Sequence, residues 1–176
     1  MFLYNEVQKR EANQERVRVG LIGAGKFGSM FLSQAPFTID LEVSSIVDIS
    51  VENAKKNCRD VGWTEEQIES VLFFDNLKKM ISQTKIDVLV EATGDPVEGT
   101  KHALIAIEQG LDIVMVNVEA DVLSGPYLAK EAEKAGIVYS MAYGDQPALT
   151  TELVEWARAS GFYVVAAGKG TKYLPC

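Results

Sequence analysis

Cysteine and histidine are almost missing from this sequence. Its 176 residues hold two cysteines, Cys58 and Cys176, and one histidine, His102. Two thiols build no disulfide framework, so a reducing compartment, the cytoplasm, fits best. A single imidazole excludes His-rich metal motifs, and no metal-ligand set is expected. Long apolar runs are lacking as well. None nears the roughly 20 residues needed to span a bilayer. The opening MFLYNEVQKREANQERVRVG turns to charged and amide residues before a signal-peptide core can form. Positive charge is in deficit: 17 Lys and Arg stand against 25 Asp and Glu, a net charge of −8. That balance argues against a nucleic-acid partner. Neither nucleic acid nor membrane is expected to bind.

What remains is an ordinary globular composition, 47% hydrophobic and 24% charged. The length suits one domain with a real core. Short apolar runs alternate with amphipathic segments. Val17–Ile22, Leu41–Asp48, Val71–Phe74, Ile86–Ala92, Ile113–Val118, Ile137–Ala142 and Phe162–Ala167 read as strands, several apolar enough to be covered on both faces. Helices are expected over Lys26–Ala35, Val51–Arg59, Glu65–Ser70, Asn76–Ser82, Val97–Gln109, Tyr127–Ala135 and Pro147–Ser160. Thr64 and Gln67 have capping-box spacing. Asp75 is expected to cap the fourth helix and Ser124 to precede a helix opened by Pro126. The polar first dozen residues predict a short helix outside the sheet. Repeated β-α units mean a doubly wound parallel sheet, an α/β Rossmann fold in a single domain, with strand order 3-2-1-4-5-6.

The chemistry-bearing motif is Gly23-Ala-Gly25-Lys26-Phe27-Gly28, which follows the first strand and opens a helix. Gly23 permits the tight turn, Gly25 lets the backbone approach a pyrophosphate, and Gly28 lets helix and strand pack closely. First-turn N–H groups then face the anion. Asp48, at the end of the second strand, has the position of a carboxylate that accepts from adenosine ribose hydroxyls. It favours NAD over NADP mildly, with Lys55 close enough to weaken the preference. NAD or NADP is therefore the expected cofactor. The stretch Gly20–Lys26 also matches the first part of a P-loop, but Phe27 stands where Ser or Thr must hold magnesium, which disfavours phosphoryl transfer. A methyltransferase would use a more compact glycine spacing.

Ligands of open α/β sheets lie beyond the carboxyl ends of the strands. Thr93 and Gly94 follow the fourth strand there and Asn117 ends the fifth, all expected near the nicotinamide. Glu119, Asp121 and Asp145 are candidate bases or metal ligands, with helix capping as the simpler role. Glu91 reads as a poor metal carboxylate inside an apolar strand. Lys169 and Lys172, spaced by small residues, are the candidates for substrate contact or proton donation. His102 reads as a surface or packing residue, and Cys58 as inert.

The segments VRVGLIGAGKFG, IDVLVEATGDP, VMVNVEADVLSGP, YSMAYGDQPAL and AAGKGTKYLP together resemble homoserine-dehydrogenase-like oxidoreductases. They are most similar to the branch described as 1-deoxy-D-xylulose 5-phosphate reductoisomerase-like and SAF-domain-containing. The resemblance runs from about Arg16 to Pro175, and VNVEADVL and AYGDQPAL are its most specific parts. It implies hydride transfer between a nicotinamide cofactor and a small-molecule substrate of the sugar-phosphate or sugar-acid type. Homoserine dehydrogenases carry a lysine after the asparagine of strand five. Here Val118 follows Asn117, so homoserine itself is a poor substrate assignment. Members of the family continue with catalytic and SAF-like domains, which makes this chain an N-terminal portion. The expected organisation is a helical extension over 1–15, a dinucleotide-binding domain over 16–161, and over 162–176 a last strand with the start of the catalytic domain. A domain separated from its partner exposes apolar surface, so homo-oligomers are compatible with this reading. The competing reading is a non-catalytic dinucleotide-binding module for redox sensing or assembly.

Overall fold

The computed structural model describes residues 3–13, 15–144 and 146–168. The chain divides into two compact units, Met1–Tyr139 and Ser140–Cys176. The sequence-based boundary at 161 is later than this division.

The first unit opens with helix α1 (Leu3–Ala12), which has no buried residue. Arg10 ties it to Asp40 at 2.6 Å, just ahead of the second strand. Strand β1 (Val17–Ile22) leads through the glycine loop into α2 (Lys26–Gln34). Strand β2 (Leu41–Val47) is followed by α3 (Val51–Asp60) and α4 (Glu65–Ser70), and β3 (Leu72–Phe74) by α5 (Leu77–Gln83). Then come β4 (Val88–Glu91), α6 (Pro96–Gln109), β5 (Asp112–Met115) and α7 (Val118–Ala135), and β6 (Tyr139–Met141) starts on the last residue of this unit. The six strands lie in the order β3-β2-β1-β4-β5-β6, as expected.

The parallel register decides where the loops emerge. Val47 stands opposite Ile22, Ile22 opposite Glu91, and Glu91 opposite Met115. Four strands therefore end level, and the residues that follow them share one edge of the sheet. The central strands hold Leu21, Ile46, Leu89 and Ile113 fully out of water, the near-continuous apolar pattern of a sheet covered on both faces. The described helices include none long and apolar enough to cross a membrane.

Three local expectations change. Asn76, rather than Asp75, caps α5, accepting from the N–H of Lys78 at 2.9 Å. Asp75 instead pairs with Lys79 one turn on. Helix α7 starts at Val118 and runs through Pro126 as one element. Proline removes the N–H that would meet the Val122 carbonyl, and Val122 is largely exposed, so water can satisfy that group. Ser124 is thus inside the helix, its hydroxyl donating to the Ala120 carbonyl.

In the second unit, α8 (Gln146–Ala159) is the main element. Tyr143 donates its phenol to Glu152 at 2.9 Å, which raises its pKa. Residues 162–168 form no strand, although their composition predicts one. Phe162, Tyr163 and Val165 are exposed. β-Propensity measures fit to a paired surface, and among the described residues this segment has no strand partner.

Candidate dinucleotide site

The glycine loop is held from three sides. Gly23 has φ +89°, a conformation that side chains disfavour, and a Cβ there would press on Ala92 and the Thr93 amide at 3.0 Å. Its N–H donates to the Val47 carbonyl at 2.8 Å. A Cβ at Gly28 would run into the carbonyl oxygen of Gly23, so α2 can pack here only with glycine. Gly25 is different. A Cβ there would meet nothing within 4 Å, and the backbone, with φ −71°, does not need glycine. Internal packing accounts for two of the glycines and leaves the third open to the outside. Gly25 is also the N-cap of α2, and no side chain caps it. The helix therefore presents uncapped amides beside open space, which suits an anion. Lys26 and Phe27 are exposed on its first turn.

Asp48 sits beside this loop. Its Oδ2 accepts the N–H of Ala24 at 2.9 Å and its Oδ1 that of Ser50 at 2.9 Å. The carbonyl of the same residue is also held: Ala24 O accepts from Asn57 Nδ2 at 2.8 Å and from Ser29 Oγ at 3.1 Å. Asp48 is thus a brace for the loop, with one lone pair on each oxygen left for a further donor. Sequence reasoning missed Asn57, which no motif marks. Lys55 does not reach Asp48 in any described ion pair. Its ammonium lies 5.5 Å from the Phe73 ring centre.

The ends of β4 and β5 make a second cluster. Asp95 caps α6 through the amides of Val97 and Glu98, at 2.9 and 2.8 Å. Asn117 caps α7 by accepting from Ala120 N at 3.1 Å. Its amide nitrogen donates to the Asp95 carbonyl at 2.8 Å and to Thr93 Oγ1 at 3.3 Å. Gly99 makes this approach possible, because a Cβ there would overlap Asn117 and Ala120. Asn117 is buried and therefore orients the Thr93–Asp95 turn from below. Glu91 and His102, set aside on sequence grounds, belong to the same cluster: His102 Nδ1 lies 3.2 Å from Glu91 Oε1.

Other candidates separate from the site. Asp121 accepts from the Tyr139 hydroxyl at 2.8 Å, and burial with this bond pushes the phenol pKa up. Cys58 is buried in the core and its thiol is pushed up to about 11, which leaves little thiolate near neutral pH. Lys169, Lys172 and Asp145 lie outside the described residues.

Residues 19–142 match the family model described as homoserine dehydrogenase, NAD binding domain. The chain belongs to that family. It is an NAD-binding domain of an oxidoreductase family. Residues 144–176 match a second model, the catalytic domain of oxidoreductase DRL. Comparison with curated proteins found no match.

Solved structures similar in fold include the WlbA dehydrogenase from Bordetella pertussis, in complex with NADH and UDP-GlcNAcA. It is 20% identical with a TM-score of 0.56, over 84% of this chain and 40% of that one. GenD2 from gentamicin A biosynthesis, in complex with NAD, is 17% identical with a TM-score of 0.56, over 82% and 40%. A myo-inositol dehydrogenase from Corynebacterium glutamicum is 15% identical with a TM-score of 0.57, over 82% and 41%. This NAD-binding chain thus spans about two fifths of the length of these dehydrogenases.

Proposed function

We propose that this domain binds NAD(H) across the level strand ends and orients it for hydride transfer. The pyrophosphate rests on the backbone of Gly23, Gly25, Lys26, Phe27 and Gly28. Asp48 accepts from the adenosine ribose with the lone pairs that Ala24 and Ser50 leave free. Thr93, Gly94 and Asn117 lie under the nicotinamide half. The observation that carries this reading is the open space over Gly25, the one glycine of the loop that neither conformation nor packing requires. When bound, the coenzyme supplies the hydride, and the protein supplies placement and electrostatics.

The finer assignment is the reductoisomerase-like branch, acting on a sugar phosphate or sugar acid. The match of residues 144–176 to the DRL catalytic domain supports it. So does the fold likeness to a myo-inositol dehydrogenase and to a dehydrogenase in complex with UDP-GlcNAcA. Lys169 and Lys172 serve as the substrate contacts in this reading, within a longer oxidoreductase that works in the cytoplasm and can self-associate. Use of NADP is secondary, because a 2′-phosphate would face the Asp48 carboxylate.

The test is a calorimetric titration with NADH and NADPH, followed by turnover with a panel of sugar phosphates, sugar acids and homoserine. Tighter binding of NADH is expected. Binding without turnover here, and in a longer chain containing the full catalytic region, would favour a sensing or assembly module instead.

A further inference from the structure

We infer that Glu91 is a positioning residue for the nicotinamide half of the coenzyme, acting through Thr93. This rests on the coenzyme lying across the strand ends as proposed above. Glu91 is the last residue of β4 and is wholly buried. Its neighbours in that strand, Val88, Leu89 and Val90, are aliphatic, and an aliphatic residue would satisfy the core at less cost than a buried carboxyl group. Among the described residues only one of its oxygens has a partner. Oε1 accepts from the Thr93 hydroxyl at 2.5 Å and from Thr93 N at 3.4 Å, and lies 3.2 Å from His102 Nδ1. Oε2, also buried, has no described hydrogen-bond partner.

The bond directions follow from the donors. Asn117 Nδ2 and Asp95 N, at 3.3 Å each, both point at Thr93 Oγ1. Neither can accept, and the amide of Asn117 cannot be turned over, since its oxygen caps Ala120 and its nitrogen meets the Asp95 carbonyl. Both lone pairs of the Thr93 hydroxyl are therefore filled, and its one hydrogen must go to Glu91. The chain of bonds runs in one direction, from Asn117 through Thr93 to Glu91, and it sets both the rotamer of Thr93 and the course of the turn through Gly94. The glycine loop has its own brace in Asp48, so loss of Glu91 disturbs the β4 side and spares the pyrophosphate side.

The experiment titrates the chain with NADH and with ADP-ribose, which shares everything except the nicotinamide. Glu91→Met removes the acceptor and keeps the volume. It is expected to weaken NADH binding about tenfold and leave ADP-ribose within about twofold. Glu91→Asp, which withdraws the carboxylate by one methylene, gives the same split, so the test does not depend on one variant folding. Glu91→Gln keeps an acceptor at Oε1 and recovers most of the loss. Glu91→Met adds nothing in a Thr93→Val background, because the two act through one bond. Equal weakening of both ligands, additivity with Thr93→Val, or unchanged NADH binding in both Met and Asp variants would overturn the inference alone. Wild-type protein that binds neither ligand would overturn the coenzyme reading and this inference with it.

Discussion

Asp48 Oδ2 accepts the backbone N–H of Ala24 at 2.9 Å, joining the end of one strand to the glycine loop after its neighbour. Sequence reasoning assigns this carboxylate to the ribose. The structure adds that the same group holds the loop in shape. Bracing and recognition are compatible, because each carboxylate oxygen has two lone pairs and the backbone takes one of each.

Asp48→Ala therefore costs more than coenzyme preference. Two charge-assisted bonds to backbone amides are lost, and a destabilisation of about 1–3 kcal/mol is expected in urea unfolding. Affinity falls for NADH and NADPH together, with NADH losing more. A variant with wild-type stability and loss confined to NADH would deny the bracing role.

Gly25→Val and Gly28→Val separate binding from folding. At Gly25 the backbone tolerates a side chain and the space is open, so the melting temperature changes by only a few degrees while NADH affinity collapses. At Gly28 the side chain would overlap the Gly23 carbonyl, so the protein fails to fold or melts far earlier. Circular dichroism melts paired with calorimetry check both. Full NADH affinity in the Gly25 variant would remove the main support for the site.

Asp87 predicts an acid limb. Arg18 holds its carboxylate through a side-chain hydrogen bond, with the Arg18 backbone N–H also donating, and its pKa falls from 3.8 to about 2. A folded-state pKa below the unfolded one contributes stability that is complete above about pH 4 and lost as pH drops toward 2. With the Asp87 side chain 40% exposed, solvent screening reduces the contribution to about 1 kcal/mol. In Asp87→Asn, unfolding free energy between pH 4 and 2 should fall less steeply than in wild type. Parallel profiles would show that the pair contributes nothing.

Asn117→Ala removes a helix cap and a donor to the Asp95 carbonyl from a buried position. A loss of about 2–3 kcal/mol is expected. Because Asn117 links α6 to α7, hydrogen exchange should rise at the first turns of both helices, and exchange confined to α7 would contradict that coupling.

Much of this was legible in the chain itself. Apolar runs at Val17–Ile22 and Ile86–Ala92, with glycine or helix signals after each, dictate parallel strands and their order. The glycine spacing dictates the sharp turn into α2. Helix limits were less legible: Pro126 looks like a start, yet exposure at Val122 lets α7 run through it. The segment Phe162–Ala167 has strand composition, but pairing needs a neighbour that composition does not supply.

The sequence alone determined the alternation of elements, the doubly wound order and the cofactor class, because these follow from local periodicity and from glycines whose role is set within a few residues. Only the tertiary structure decided which polar groups work together. Asp48 with Ala24 and Asn57, and Glu91 with Thr93, His102 and Asn117, meet because parallel register brings four strand ends level. Hydrogen bonds are satisfied by proximity in space, and no spacing along the chain records that proximity.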